Sequence, residues 1–417
     1  MAQRPRGTRD FAPDETAARR AAAKRLRGVF ERFGYREVQT PTFEELDLFT
    51  AKSGEGIVAE LYDFMDKAGR KMTLRPELTA PTMRMYFQEH AFDPKPVKWY
   101  YFGNCFRYDR PQAGRYREFW QFGCEQIGAG TPLAYAELIA LVAALFDEVG
   151  LRQQEIRVGH VAILRALVDE LGVEGETRGK TMRAIDKRDD EGLRALLRDE
   201  GSPDEAVARL FAAMDAPDVE AARAVVGDQA GFAELEATFR HLRSFGAAVR
   251  LDLGIARGLD YYTSIVFEAH STDPEMGAER QLLGGGGYDL SAVFEANPTP
   301  TMGFGLGFDR LLVALGKEGH PPEPVGGPAL YLGALSDAAV PVVVEAATAL
   351  RRDGITVDMD LLGRKAGQIA KHADAIGAAH LVLVGERDIE AGKVRVKRLA
   401  TGESDEVALD RLKDWRP

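Results

Sequence analysis

The chain opens on a helical pattern. Leu26, Val29, Phe30 and Phe33 recur at intervals of three and four, and Gly34 stands where such a helix would stop, so residues 13–33 are predicted as one helix. Residues 35–41 read as a strand ending in proline. Residues 71–76, 97–104 and the aromatic-rich 115–128 read as further strands, with a helix over 80–90. Residues 133–149 form an apolar helix closed by Gly150, and 155–158 a short strand. From about 163 to about 245 only helical periodicity is visible, carried by Leu164, Leu167, Val168 and Leu171, then Leu193, Leu196 and Leu197, then Leu235, Phe239 and Leu242. Strands resume at 249–252 and 261–269.

Residues 319–328 have the composition of a linker. Beyond them strands and helices alternate: strand 329–335, helix 338–353, strand 355–359, helix 365–375, strands 381–385 and 394–399. Alternation of this kind implies a small α/β domain. Earlier in the chain the strands cluster without helices of equal weight between them. That predicts an α+β domain around a mixed, mostly antiparallel sheet. The expected organisation is therefore a first domain over 1–325, interrupted by a helical insertion at about 163–245, and a second over 326–417. A length of 417 residues independently calls for two or three domains.

Charge complicates this picture. The net charge is −11, from 54 basic and 65 acidic residues, which argues against a basic surface spread over the chain. A local basic groove on an acidic protein stays compatible with it. Two cysteines, Cys105 and Cys124, are too few for a disulfide framework or a four-cysteine zinc site. They suit a reduced, cytoplasmic setting, as does an N-terminus without the apolar stretch of a signal peptide. No run of about 18 apolar residues suggests a membrane span. None of the seven histidines lies in an HExxH arrangement or in the motifs below, which speaks against a histidine triad or a zinc hydrolase.

Five stretches carry chemistry. Residues 106–121 place Arg107, Arg110, Arg115 and Arg117 beside Phe119 in a strand–loop–strand hairpin. Guanidinium forks suit phosphate, and an aromatic ring suits a flat base; a solvated charged hairpin fits the same residues. Residues 254–263 set Arg257 and Asp260 about a Gly-Leu pair, followed by Tyr261 and Tyr262, which point to opposite faces of a strand. A plain buried strand with one salt bridge is the alternative. Residues 283–289 contain four glycines, which permit close approach of a ligand or mark a bend. Residues 303–310 are GxGxG leading into an apolar helix, with Arg310 near the helix start, a place suited to holding an anion. Without a βαβ unit this is no dinucleotide fingerprint. Finally, residues 73–79 and Glu125 supply carboxylates and a hydroxyl able to hold a cationic ligand; such residues at strand ends are also ordinary surface groups.

The order of these stretches resembles the histidyl-tRNA synthetases over nearly the whole chain. Residues 34–46, 106–121 and 303–310 look like the three motifs of class II synthetases. Arg257-Gly-Leu-Asp-Tyr-Tyr262 and residues 284–289 look like the two histidine-specific signatures. Residues 6–10, the Leu-Gly-Arg-Lys stretch beginning at Leu362, and residues 384–386 fit as well. The resemblance implies a class II catalytic fold, a C-terminal anticodon-binding domain, and a homodimer built through the first motif. Its substrates are then L-histidine, ATP and the histidine tRNA.

Carried over position by position, Arg107 clamps the ATP α-phosphate and the histidine carboxylate. Asp109 and Arg115 belong to the ATP site, Phe119 stacks on adenine, and Arg310 lies on the γ-phosphate side. Glu77, Leu78 and Thr79 take the α-amino end of histidine, with Gln121 nearby. Glu125 and Tyr262 read the imidazole and Tyr261 lines the pocket. Arg257 stabilises charge on the α-phosphate where related ligases place a metal ion. No metal is expected to be held by the protein alone; Mg²⁺ travels with the triphosphate. Gln112 corresponds to a residue near the extra 5′ guanosine of the histidine tRNA. The sequence departs from the family pattern at Gly287, where an arginine is usual, and at Trp120, where a histidine is common; both are expected to tune the pocket edge. The main alternative is the non-catalytic, synthetase-like regulatory subunit of ATP phosphoribosyltransferase. That protein typically lacks the anticodon domain and the 257–262 signature. Arg178, Lys180, Arg183, Lys187 and Arg188 suggest an RNA-facing side of the helical stretch, or a solvated helix face.

Overall fold

The computed structural model describes residues 3–53, 55–108, 116–256, 262–320 and 326–417. Two compact units divide at 322/323. In the first, the strands in chain order are β1 (Arg36–Glu37), β2 (Phe43–Glu45), β3 (Tyr62–Met65), β4 (Lys71–Leu74), β5 (Val97–Phe106), β6 (Glu118–Ile127), β7 (Gln154–His160), β8 (Arg250–Leu251), β9 (Tyr262–Ser271), β10 (Gln281–Tyr288) and β11 (Thr301–Gly307). Eight of them make one sheet in the order β1-β5-β6-β11-β10-β9-β7-β8. Only its two outermost pairs, β1–β5 and β7–β8, are parallel. This is the mixed, mostly antiparallel sheet that the clustered strands predict.

The helices of this unit are α1 (Pro13–Arg32), α2 (Asp47–Ser53), α3 (Thr79–Met85), α4 (Pro132–Val149), α5 (Val161–Asp169), α6 (Gly175–Lys187), α7 (Asp190–Asp199), α8 (Asp204–Met214), α9 (Val219–Val226), α10 (Phe232–Phe245) and α11 (Phe308–Lys317). Their ends follow local chemistry. Pro13 starts α1 with Asp14 and Glu15 in the first turn, where a fixed φ and negative charge both suit a helix N-terminus. Thr131 caps α4 by accepting from the Ala134 amide, and Gly150 closes it in the left-handed region at φ 83°. The helix expected over 80–90 is instead a short α-helix continued by a π turn over Tyr86–His90.

One face of the large sheet is apolar. Phe122 and Phe304 meet Phe30 of α1, which also stacks on Tyr100 at 4.8 Å between ring centroids. Full burial of such a ring contributes roughly 2–3 kcal/mol. Leu138, Leu141, Val142 and Leu145 of α4 complete this layer. The six helices α5–α10, threaded between β7 and β8, carry no strand, as their periodicity predicts. Their buried Leu193, Leu197, Leu210 and Phe232 belong to the same continuous core, so the helical stretch is part of the first compact unit rather than a separate one.

The second unit contains β12 (Leu330–Ala334), α12 (Val340–Arg352), β13 (Val357–Met359), α13 (Ala366–Ala375), β14 (His380–Val384), α14 (Glu386–Ala391), β15 (Lys393–Arg398) and β16 (Ser404–Ala408). The order is β13-β12-β14-β15-β16, parallel across the first three and antiparallel across the last two pairs. β16 escapes sequence reading because its residues are mostly exposed, leaving no alternation to detect. Residues 321–325 of the expected linker lie outside the described residues.

Candidate functional site

Register decides what the second face of the large sheet carries. Side chains alternate along each strand, and β6 therefore presents Phe119, Gln121, Gly123 and Glu125 together. The pairings place Tyr101 of β5 beside Gly123, Gly303 of β11 beside Glu125, and Gly305 beside Gly123. In turn Gly286 of β10 lies beside Gly303 and Gly284 beside Gly305. The middle of this face is thus a floor of glycine backbone with polar side chains lying over it. A Cβ on Gly303 would collide with the Glu125 carboxylate, and one on Gly305 with the Gln121 amide. The Tyr262 ring lies across Gly286, where a Cβ would sit 2.8 Å from it. These two glycine runs serve close approach within strands, not turns.

Glu125 is the centre of this arrangement. It is fully buried. Its Oε1 accepts from the Tyr101 hydroxyl at 2.8 Å, and its Oε2 accepts from the Tyr288 hydroxyl. Burial, followed by the charge of Glu125, pushes the Tyr101 phenol well above its ordinary range, so the hydroxyl stays a donor. Each carboxylate oxygen has further lone pairs. One strand pair away, the Tyr262 ring faces the same floor. Cys105 donates weakly to Gln121 Oε1 at 3.6 Å; burial pushes its thiol up to about 12, which keeps it an inert packing group.

At the strand ends, Arg107 Nε donates to the Pro76 carbonyl at 2.9 Å, and its guanidinium lies 5.2 Å from the Phe119 ring centroid. Glu77 turns onto the start of α3, accepting from the Thr79 amide at 2.5 Å and the Ala80 amide at 3.1 Å. The Thr79 hydroxyl is 3.3 Å from the Tyr101 hydroxyl, which joins this turn to Glu125. Leu78 is buried against Tyr101, Cys105 and Phe119, so its side chain packs and only its backbone is available to bond a ligand. Arg310, in the first turn of α11, donates to the Gln281 carbonyl at 2.9 Å.

Glu77, Leu78, Thr79, Arg107, Phe119, Gln121, Glu125 and Tyr262 are therefore gathered on one face, with Arg310 at its end. Asp109, Gln112, Arg115, Arg257 and Tyr261 lie outside the described residues. Gly287 and Trp120 are not at the pocket edge as expected. A Cβ on Gly287 would meet the Tyr135 hydroxyl of α4, and Trp120 packs on Phe102 of the core layer; both point to the opposite face. Of the basic run in the helical stretch, Arg178, Lys180 and Arg188 are paired with Asp169, Glu176 and Asp252, which favours the solvated, internally paired reading.

Three residues were missed. Tyr101 and Tyr288 hold Glu125; counting alternate positions from Gly286 would have put Tyr288 on its face, whereas Tyr101 reaches it only through the pairing of β5 with β6. Asp309 lies inside a recognised stretch, yet its partners are distant. It is 4% exposed and accepts from Arg9 and Arg19 at 2.7 Å each and from the Trp120 amide at 2.7 Å. It ties the N-terminal segment, α1 and β6 to the turn carrying Arg310.

The family model described as histidyl-tRNA synthetase matches residues 7–311. The chain belongs to the histidyl-tRNA synthetase family. A further family model, an anticodon binding domain, matches residues 326–415. A histidine–tRNA ligase of Archaeoglobus fulgidus is 44% identical over 412 residues, covering 98% of each chain. An apo histidyl-tRNA synthetase of S. aureus matches in structure with a TM-score of 0.75 at 28% identity, covering 99% of each chain. A Bacillus halodurans structure, titled as an ATP phosphoribosyltransferase regulatory subunit/histidyl-tRNA synthetase, matches at TM-score 0.79 and 26% identity, covering 92% of this chain and 98% of that one.

A substitution tests the glycine floor directly. Gly303→Ala inserts a methyl where the Glu125 carboxylate lies. It is expected to lower kcat/KM for the cognate amino acid by roughly 10²-fold, the usual cost of about an ångström of displacement at a site. The thermal midpoint should fall as well, because the same methyl would lie 2.4 Å from the Cys124 backbone carbonyl inside the sheet. Unaltered kinetics in a folded Gly303→Ala protein would remove Glu125 from the site.

Proposed function

We propose that this chain activates L-histidine with ATP and transfers it to the 3′ terminal adenosine of the histidine tRNA. The observation that carries this reading is the buried Glu125 carboxylate, oriented by Tyr101 and Tyr288 over a cleared glycine floor and faced by Tyr262. Such a carboxylate accepts an imidazole N–H, and its fixed orientation discriminates against side chains that lack one. Glu77 and Thr79 border the same floor and suit the α-amino group. Arg107 beside Phe119 suits an α-phosphate next to a stacked adenine, and Arg310 suits the far phosphates. Mg²⁺ enters with the triphosphate.

In this reading the histidine carboxylate attacks the α-phosphorus, a P–O bond forms, and pyrophosphate leaves with the electron pair of the broken bond. No general base is required, because the nucleophile is already an anion. Negative charge builds on the phosphoryl oxygens, which Arg107 offsets, with Arg257 given the same task by the family resemblance; one such donor is typically worth roughly 3–4 kcal/mol. A ribose hydroxyl of the tRNA then attacks the acyl carbon, releasing AMP.

The second unit, as an anticodon-binding domain, supplies the tRNA contact that a regulatory subunit would not need. Its Arg395 and Lys397 are exposed on β15, alternating with buried Val394 and Val396, and with Arg398 they are candidates for phosphate contacts. A homodimer is supported by the three-stranded sheet β2-β4-β3, where Phe43, Phe64 and Met65 are exposed. Beside it a cavity of about 590 Å³ includes Phe43, Met72 and Phe294 in its lining; apolar patches of this kind mark interfaces. Among the described residues no helix is long and apolar enough to cross a membrane, and a cytoplasmic setting accords with the two buried free cysteines.

ATP–pyrophosphate exchange, run with each amino acid in turn, tests the reading. Exchange is expected with histidine alone, and Arg257→Ala is expected to slow it roughly 10²- to 10³-fold. Exchange with no amino acid would overturn the ligase reading and leave the regulatory subunit, to be examined by binding to ATP phosphoribosyltransferase.

A further inference from the structure

Tyr101 stands between the two ends of the amino-acid site. It pairs with Gly123 across β5 and β6, and its side chain lies over that glycine: a Cβ there would be 2.4 Å from the ring and 2.6 Å from the hydroxyl. Leu78 packs against it from the turn before α3. The hydroxyl so placed has two neighbours. One is Glu125 Oε1 at 2.8 Å, and the other is the Thr79 hydroxyl at 3.3 Å. Tyr101 is only 3% exposed and Glu125 is fully buried, so water does not compete for these bonds.

Counting protons fixes the direction of this chain of bonds. A tyrosine hydroxyl has one proton to donate, and a carboxylate can only accept. Burial, then the charge of Glu125, pushes the phenol well above its ordinary range, so it keeps that proton. The Tyr101 proton therefore points at Glu125, and the Thr79 proton points at the Tyr101 oxygen. Among the described residues the Thr79 hydroxyl bonds no other group. With its one proton committed, it presents only lone pairs to a ligand. An ammonium group is the complement, because it carries donors and no acceptor. Glu77, in the same turn, is held by the Thr79 and Ala80 amides.

We propose that Tyr101 is a positioning residue that joins recognition of the two ends of histidine: through the chain Thr79–Tyr101–Glu125 it fixes Thr79 as an acceptor for the α-ammonium group while it orients Glu125 as an acceptor for the imidazole. The proposal rests on the reading of Thr79 and Glu125 given above and adds what makes them act together. Tyr288 offers a comparison within the same site. It gives Glu125 a donor through the other oxygen, while the Thr79 hydroxyl meets Tyr101. Loss of the Tyr288 hydroxyl disturbs the imidazole end. Loss of the Tyr101 hydroxyl disturbs both ends, because the Thr79 proton loses its acceptor and is free to turn toward the ammonium donors.

The experiment measures equilibrium binding of L-histidine and of imidazolepropionate, which lacks only the amino group, to the full-length protein without ATP. The variants are Tyr101→Phe, Tyr288→Phe, Thr79→Val, Thr79→Ser and Tyr101→Phe/Thr79→Val. Tyr288→Phe is expected to weaken both ligands roughly tenfold and to leave the ratio of their affinities unchanged. Tyr101→Phe is expected to weaken imidazolepropionate roughly tenfold but histidine roughly a hundredfold, so that the ratio shrinks. Thr79→Val should shrink the ratio by a similar factor and Thr79→Ser should keep it. The double variant should shrink it no further than Tyr101→Phe does, because both changes cut one chain. Equal losses of the two ligands in Tyr101→Phe, or an unchanged ratio in Thr79→Val, would overturn the proposal and leave the assignment of Glu125 standing. Equal affinities of the two ligands for the wild type would instead overturn the placing of the amino group at this turn, and the proposal with it. Thermal melting shows which variants are folded. Thr79→Val carries the test from the partly exposed end of the chain of bonds if Tyr101→Phe disturbs the core.

Discussion

Glu125→Ala is expected to lower kcat/KM for histidine by roughly 10⁴-fold, the scale seen when a site built to hydrogen-bond its substrate loses its partner. In the proposed reading the substitution removes the acceptor for the imidazole. It also leaves the Tyr101 and Tyr288 hydroxyls, both on buried residues, without the oxygen they point at. Glu125→Gln keeps the volume but turns one oxygen into a donor facing a tyrosine donor, so it should fail nearly as badly. KM for ATP should stay within about twofold in both, because Arg107 and Arg310, the groups proposed to meet the phosphates, are untouched. Pyrophosphate exchange at varied histidine and varied ATP separates these constants. Equal losses for the two substrates would make Glu125 a residue of the fold and not of histidine recognition.

The largest stability effect is expected at Asp309. Its carboxylate serves Arg9, Arg19 and the Trp120 amide, and the Arg19 side chain is only 10% exposed. Removing one member of a buried charge cluster leaves the other uncompensated, which costs about 3–5 kcal/mol. Asp309→Ala should therefore lower the unfolding free energy from urea titration by that amount, seen as a lower midpoint at unchanged slope. Intrinsic fluorescence follows it well, because Trp99 and Trp120 lie in the first unit. Activity should fall as well, since Arg310 is the next residue and Phe119 and Gln121 flank Trp120. A loss below about 1 kcal/mol, typical of an exposed pair, would show that the two arginines find other partners.

The elements of the fold were legible wherever burial is one-sided. α1, α4 and the helical run α5–α10 repeat apolar residues at helical spacing because each presents one stripe to a single core. Strands β5 and β6 are rich in aromatics because their apolar face meets Phe30. β2, β3 and β16 were not read: they are short or solvated, and nothing in their pattern distinguishes a sheet edge from a loop; β10 and β11 were not read as strands either, because their glycine runs leave no alternation of side chains to detect. The same holds for the π turn that ends α3, since its residues are ordinary for a helix.

For the site, the sequence by itself determined which groups are available: arginines beside Phe119, carboxylates at Glu77 and Glu125, and two runs of glycine. Those residue types reflect chemistry that phosphate, adenine and a cationic ligand demand wherever they bind, so their presence is local information. What only the tertiary structure decided is the register. A glycine run has the same composition in a turn and in a strand, and a one-residue slip moves every side chain to the other face of a sheet. Pairing β11 between β6 and β10 set Gly303 beneath Glu125 and Gly286 beneath Tyr262, recruited Tyr101 and Tyr288 as donors, and sent Gly287 and Trp120 to the core side. It likewise joined Asp309 to Arg9 and Arg19 across some three hundred residues of chain. Contacts of that span follow from how strands and helices close around one core, a property of the whole chain that no short stretch of it carries.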